Sequence, residues 1–126
     1  RDAQESRGLG DVYKRQPMLW LGGAIAEPKV IDTYANQTDL AATLLNQMGL
    51  PTDEFSFSKD ILNPCVPHYA FYTFNNGFGF IDESGVSVYD NEGNKILVEE
   101  PESGNETRLE KGKVLLQTLY DDLGNR

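Results

Sequence analysis

Between Tyr69 and Glu99 the sequence is divided into four short runs, Tyr69 to Phe74, Phe78 to Ile81, Val86 to Tyr89 and Ile96 to Val98. The steps between them are Asn76-Gly77, Ser84-Gly85 and Gly93-Asn94, the punctuation of an antiparallel meander. Asn75-Asn76-Gly77 is the strongest turn signal in the chain, because Asn and Gly accept the positive φ that a tight hairpin needs. A polar linker, Pro101 to Asn105, follows, and from Glu106 to Leu123 the residues Leu109, Leu116, Leu119, Tyr120 and Leu123 recur at helical spacing, with Gly112 as the weak point. With one wet face and one apolar face, this helix is expected to pack across the meander, whose aromatics would otherwise lie open on one side.

A second helix is expected earlier, over Thr38-Asp39-Leu40-Ala41-Ala42-Thr43-Leu44-Leu45-Asn46-Gln47-Met48-Gly49. Thr38 or Gln37 stands near its N-cap, Asp39 complements the positive end of the helix dipole, and Gly49 with Pro51 stops it. Leu40, Leu44, Leu45 and Met48 share one stripe, which is expected to cover a sheet, while Ala41 and Ala42 permit close approach.

Further upstream, Met18-Leu19-Trp20-Leu21-Gly22-Gly23-Ala24-Ile25 is continuously apolar, the pattern of a strand covered on both faces in a parallel sheet. Such a strand needs parallel neighbours, or its backbone donors and acceptors are buried unpaired. No second run of this kind follows in the sequence, so its companions are expected outside this chain.

Residues 1–16 have no hydrophobic period, and the composition changes abruptly at Pro17. Asp11-Val12-Tyr13-Lys14-Arg15-Gln16 back-translates to GAT GTG TAT AAG AGA CAG, which resembles the end of a transposase adapter used to prepare DNA for sequencing. Residues 1–16 are therefore expected to be a non-native, disordered leader. Residues 17–63 are expected to end a main α/β domain, and residues 64–126 to form the meander with its helix. Taken together the fold class is α/β, or α+β for the chain in isolation.

Composition narrows the function. The chain has 126 residues, 11 basic and 20 acidic, for a net charge of −9, and its basic residues form no cluster able to track a phosphate backbone. Nucleic acid is excluded as a partner on that ground. No apolar run approaches the ~20 residues of a membrane span, so this segment is expected to make no membrane contact.

Chemistry-bearing residues are sparse. Cys65 is the single cysteine, and Cys65-Val66-Pro67-His68 offers two ligands where a structural zinc site wants four. His68 is the one side chain able to transfer protons near neutral pH, but a proline-fixed loop entering a strand is the setting of a structural histidine. Asp82, Asp90 and Glu92 lie in turns, where their carboxylates satisfy local backbone groups. Gly77-Phe78-Gly79 belongs to a hairpin and no helix follows it, so it is no dinucleotide fingerprint. Asn36-Gln37-Thr38 and Asn105-Glu106-Thr107 match the glycosylation pattern, which recurs by chance. No catalytic residue and no metal ligand is assigned, and the substrate-binding residues are left open.

Three segments carry a family resemblance: the run Met18 to Gly23, the stretch Gln37 to Pro51, and Phe57-Ser58-Lys59-Asp60-Ile61-Leu62. Together they resemble the carboxyl-terminal end of the sulfatase and lipoteichoic acid synthase branch of the alkaline phosphatase superfamily, where a helix of the form Asp-Leu-x-x-Thr-Leu-Leu-x-x-x-Gly precedes a loop with a Ser-x-Asp-Leu-like step. The aromatic stretch Tyr69 to Phe80 is similar to that of the membrane-anchored sulfatase-like transferases. Many sulfatases place Pro immediately before the Thr of that helix, where Ala42 stands here.

The resemblance implies that an apolar strand and covering helix complete an alkaline-phosphatase-like sheet, followed by the small meander and its terminal helix. It also implies a parent enzyme that uses a divalent metal (Mn, Mg, Ca or Zn) to attack sulfate or phosphate esters. The family's nucleophile and metal ligands precede the matching segment, so no residue here inherits them and no cofactor is assigned to this chain. The implied partner is the upstream part of the same domain. A bacterial, membrane-anchored parent with this domain outside the cytoplasm is expected. The competing expectation is a free-standing protein- or glycan-binding module that uses the aromatic sheet as its surface.

Overall fold

The computed structural model describes residues 16–23, 25–101 and 103–126, with the backbone alone for Asn105. The expected leader, apart from Gln16, lies outside the described residues. The chain divides into two compact units, residues 1–31 and 32–126.

In the first unit the apolar run forms no strand. Met18, Leu19 and Leu21 are exposed, and a turn forms in which the Ile25 N–H donates to the Gly22 carbonyl at 3.1 Å. The strand expected over Met18 to Ile25 is therefore absent among the described residues, and Ala24 lies outside them. The reason is the one that made the run conspicuous: an extended segment cannot pair its own N–H and C=O groups, and no neighbouring strand supplies partners among the described residues.

The second unit is α+β. A single 3-10 turn, Gln37–Asp39, leads into helix α1, Leu40–Gln47. Four strands follow, β1 Tyr69–Phe74, β2 Gly77–Asp82, β3 Gly85–Asp90 and β4 Lys95–Glu100, and then helix α2, Asn105–Asn125. The sheet order is β1-β2-β3-β4, antiparallel throughout. The meander expected from the turn residues is thus formed, with two-residue loops at Asn75-Asn76 and Glu83-Ser84, and Asn94 takes the positive φ of 48° that its turn requires.

Strand alternation places Tyr69 and Phe71, Phe78 and Phe80, and Ser87 and Tyr89 on one face. Their rings meet across strands, Tyr69 with Phe80 at 5.3 Å, Phe71 with Phe78 at 5.8 Å and Phe78 with Tyr89 at 5.8 Å between centroids. Helix α2 lies against β2 and β3 on this face, as its amphipathic pattern led us to expect, and seals Phe78 and Phe80 from solvent. Gly112 is the point of closest approach: a Cβ there would lie 2.1 Å from the Phe78 ring. The glycine that weakens the helix in isolation is what lets it reach the sheet. The terminal part of the helix extends past this contact, leaving Tyr120 and Leu123 exposed.

On the opposite face two aromatic rings lie flat over glycines of the neighbouring strand. Tyr72 stands opposite Gly79 and Phe74 opposite Gly77, and in each case the ring occupies the space that a Cβ on the glycine would fill.

Helix α1 departs from expectation in its orientation. Gly49, at φ 69°, ends it as anticipated, with the Leu50 N–H returning to the Leu45 carbonyl at 2.9 Å. The face turned inward, however, is that of Ala42 and Thr43, while Leu44 and Met48 are 45% and 62% exposed. Leu40 and Leu45 are half-buried, and the Leu44 and Met48 side of the stripe faces solvent, because a polar network fixes the helix by its other side.

Gly112→Ala should lower unfolding stability by about 2 kcal/mol, since overpacking against Phe78 outweighs the gain in helix propensity. Gly124→Ala meets nothing within 4 Å and should be neutral or stabilising by roughly 0.5 kcal/mol. Urea denaturation of both variants checks the contact.

Candidate functional site

The densest polar constellation among the described residues joins α1 to the loop 58–61. Asp39 is fully buried at the helix entrance, and its carboxylate accepts the Asn36 N–H at 2.7 Å, the Lys59 N–H at 2.9 Å and the Lys59 ammonium at 2.7 Å. Thr43, one turn on, donates its hydroxyl to the Asp39 carbonyl at 2.7 Å and accepts the Ile61 N–H at 3.0 Å. Ser58 takes the free Ala42 N–H at 2.8 Å and donates to the Thr38 carbonyl at 2.7 Å, satisfying a donor that the first helical turn leaves open. Asn46 reaches Asp60 at 3.0 Å and closes the same loop from outside.

This network continues into the sheet. The Lys59 ammonium sits 4.0 Å from the centre of the Tyr69 ring, and the Asn36 amide oxygen accepts the Phe71 N–H of strand β1 at 2.6 Å. Burial first, and the negative charge of Asp39 second, hold the Tyr69 phenol above its ordinary value. Every oxygen of Asp39 and the hydroxyl of Thr43 is already engaged, so the arrangement holds structure and presents no free nucleophile or base.

A second polar centre lies under α2. Arg108 is fully buried, with Nε donating to the Ser87 hydroxyl at 2.8 Å and Nη1 to the Ser84 carbonyl at 3.1 Å and the Ser103 carbonyl at 3.3 Å, while Nη2 reaches the Pro101 carbonyl. Its guanidinium ties the β2–β3 turn to the linker before the helix. Glu99 stands opposite Ser87 on β4, and its Oε1 is buried without a hydrogen-bond partner in the described structure.

The residues singled out in the sequence do not converge. His68 Nε2 lies 3.2 Å from the Asn63 carbonyl, and the Cys65 N–H donates to the Asn63 side chain at 2.9 Å, so both belong to one turn, with the Cys65 thiol exposed. Asp82 accepts the Ser84 N–H at 2.9 Å and faces Lys111 at 3.4 Å, Asp90 accepts the Glu92 N–H at 3.0 Å, and Glu92 accepts from Asn76. Asn36 is committed to β1. No group of three or more His, Cys, Asp and Glu side chains comes together among the described residues, so the divalent metal implied by the family resemblance has no ligand set on them. Pro51, Asp53, Glu54 and Phe55 line only a shallow depression.

Sequence reasoning missed both polar centres. The sequence marks Asp39 by its place at the positive end of the helix dipole, and its position four residues before Thr43 puts both on one face at the helix start. Nothing in the sequence marks Arg108 as buried.

Asp39→Asn should cost about 3 kcal/mol, because it leaves the Lys59 ammonium without its counter-charge. In the double variant Asp39→Ala/Lys59→Ala the loss should fall short of the sum of the singles, measured as a double-mutant cycle in urea. At Asp82 partial burial opposes ionisation, but the Ser84 hydroxyl and N–H and the Lys111 ammonium outweigh it and hold the carboxyl below its ordinary value. A carboxyl depressed in the folded state contributes stability that is present above the unfolded pKa and lost as pH falls through the folded one. Asp82→Asn should therefore flatten the acid limb of the stability profile and leave its shape near neutrality unchanged, as followed by thermal melts against pH. No protein-family model, curated protein or solved structure matches the chain.

Proposed function

We propose that this chain is the carboxyl-terminal scaffold portion of a metal-dependent sulfatase or phosphoglycerol transferase acting on sulfate or phosphate esters, without catalytic competence of its own. The observation that carries the reading is the orientation of α1. A buried polar network fixes the helix, and its Leu44 and Met48 stripe then points to solvent. A helix held this firmly with its apolar side outward has a face suited to a further layer. The exposed apolar run around Leu19 and Leu21 is a second surface with the same need, since it would gain its ladder only from neighbouring strands.

On this reading the Thr38-Asp39-Leu40 and Ser58-Lys59-Asp60 stretches that carry the family resemblance act as positioning elements. They set the angle of α1 against the parent sheet. The nucleophile and the metal ligands come from the upstream part of the domain, where a divalent ion would stabilise the charge of the transferred group. The parent is read as bacterial and membrane-anchored, with this domain outside the cytoplasm.

One observation favours a second reading, a protein- or glycan-binding module: the Tyr72 and Phe74 rings lie side by side, 6.5 Å apart, on the sheet face away from α2. Aromatic rings presented on a rigid sheet suit stacking against a sugar or an apolar side chain.

The test is expression of the gene with its upstream coding sequence. The longer protein should contain a Thr or Ser nucleophile and an Asp-His metal set, and should hydrolyse an aryl sulfate or phosphate ester in a chelator-sensitive manner. This chain alone should show no turnover. A longer reading frame that lacks those residues, joined to glycan binding lost in Tyr72→Ala, would replace the first reading by the second.

A further inference from the structure

The two edges of the sheet are unlike. On β1 the outward Phe71 N–H is taken by the Asn36 side chain, and the network around Lys59 abuts Tyr69. Strand β4 forms its ladder with β3, and no other backbone hydrogen bond reaches it among the described residues. Its central residues Ile96, Leu97 and Val98 are 40%, 45% and 38% exposed. The β3–β4 register passes from Val88 opposite Val98 to Tyr89 opposite Ile96, which leaves Leu97 with no cross-strand partner. An apolar edge of this kind is a template for a further strand.

The two ends of β4 are complementary in charge. Set antiparallel against a second copy about its centre, Lys95-Ile96-Leu97-Val98-Glu99-Glu100 places Lys95 opposite Glu100 of the copy and Glu100 opposite Lys95, with Leu97 opposite Val98 at the middle and Ile96 opposite Glu99 on either side of it. Opposite charges directly across an antiparallel pair stabilise it, and like charges there destabilise it. A two-fold axis at this point uses the β4 edge of both copies, and on the β1 edges that remain the Phe71 N–H is already taken by Asn36. We propose that β4 is a self-association edge, which joins two copies of this chain into a continuous eight-stranded antiparallel sheet. The bulge at Leu97 and the net charge of −9 on each copy keep the association weak. The inference stands on β4 alone and is independent of the proposed function.

Sedimentation equilibrium over a wide concentration range tests it. The weight-average mass should climb from 14.1 kDa toward twice that value and no further. Lys95→Glu sets acidic residues opposite each other and should hold the protein monomeric, and the charge swap Lys95→Glu/Glu100→Lys should restore the dimer. Leu44→Lys/Met48→Lys, on the exposed stripe of α1, should leave the dimer intact. The proposal is overturned by a wild-type chain that stays monomeric or passes beyond a dimer, by association that ignores Lys95→Glu, by a swap that fails to restore it, or by association lost with the α1 substitutions instead.

Discussion

A carboxylate buried without solvent is tolerated only when its charge and its lone pairs are met, and Asp39 is met three times over, by two backbone N–H groups and the Lys59 ammonium. The consequences spread from that point. Because one donor comes from just before the helix and two from residue 59, the carboxylate ties the helix entrance to a loop that is distant in sequence. Thr43 and Ser58 repeat the pattern with hydroxyls, so α1 is fixed in rotation as well as in place. The Asn36 side chain and the Lys59 ammonium then carry the same set of contacts to strand β1.

The meander and α2 are held by a different principle. Here the organising contact is apolar and close: Phe78 and Phe80 under a helix that can approach because residue 112 has no side chain. Arg108, one turn earlier on the same side of α2, fills the space beside them with a charged group whose donors are spent on hydroxyls and carbonyls of the adjoining turns. The amphipathic helix therefore meets the sheet through a glycine and an arginine as much as through its leucines.

These two modes of packing give the molecule a division of surfaces. Asp39, Thr43, Ser87 and Arg108 are buried beside the aromatic core, where they position elements, and apolar side chains are exposed on α1, on β4 and along the run near Leu19. Asp39, Lys59 and Thr43 are gathered in one place and engaged with one another.

The meander and both helices were legible in the sequence because their signals are local. Asn-Gly and Ser-Gly steps set the hairpins, and the stop at Gly49 needs only a positive φ. The strand expected over Met18 to Ile25 failed for the opposite reason, since a strand exists only when another segment pairs with it. Which face of α1 turns inward was also beyond periodicity: Leu40, Leu44, Leu45 and Met48 define a stripe, but an ion pair between residues 39 and 59 outbids it through contacts with no sequence signature. The sequence by itself determined where the chain turns and which segments of residues 37–125 coil or extend. Only the tertiary structure decided what each face meets, because burial and charge pairing depend on residues brought together from distant positions.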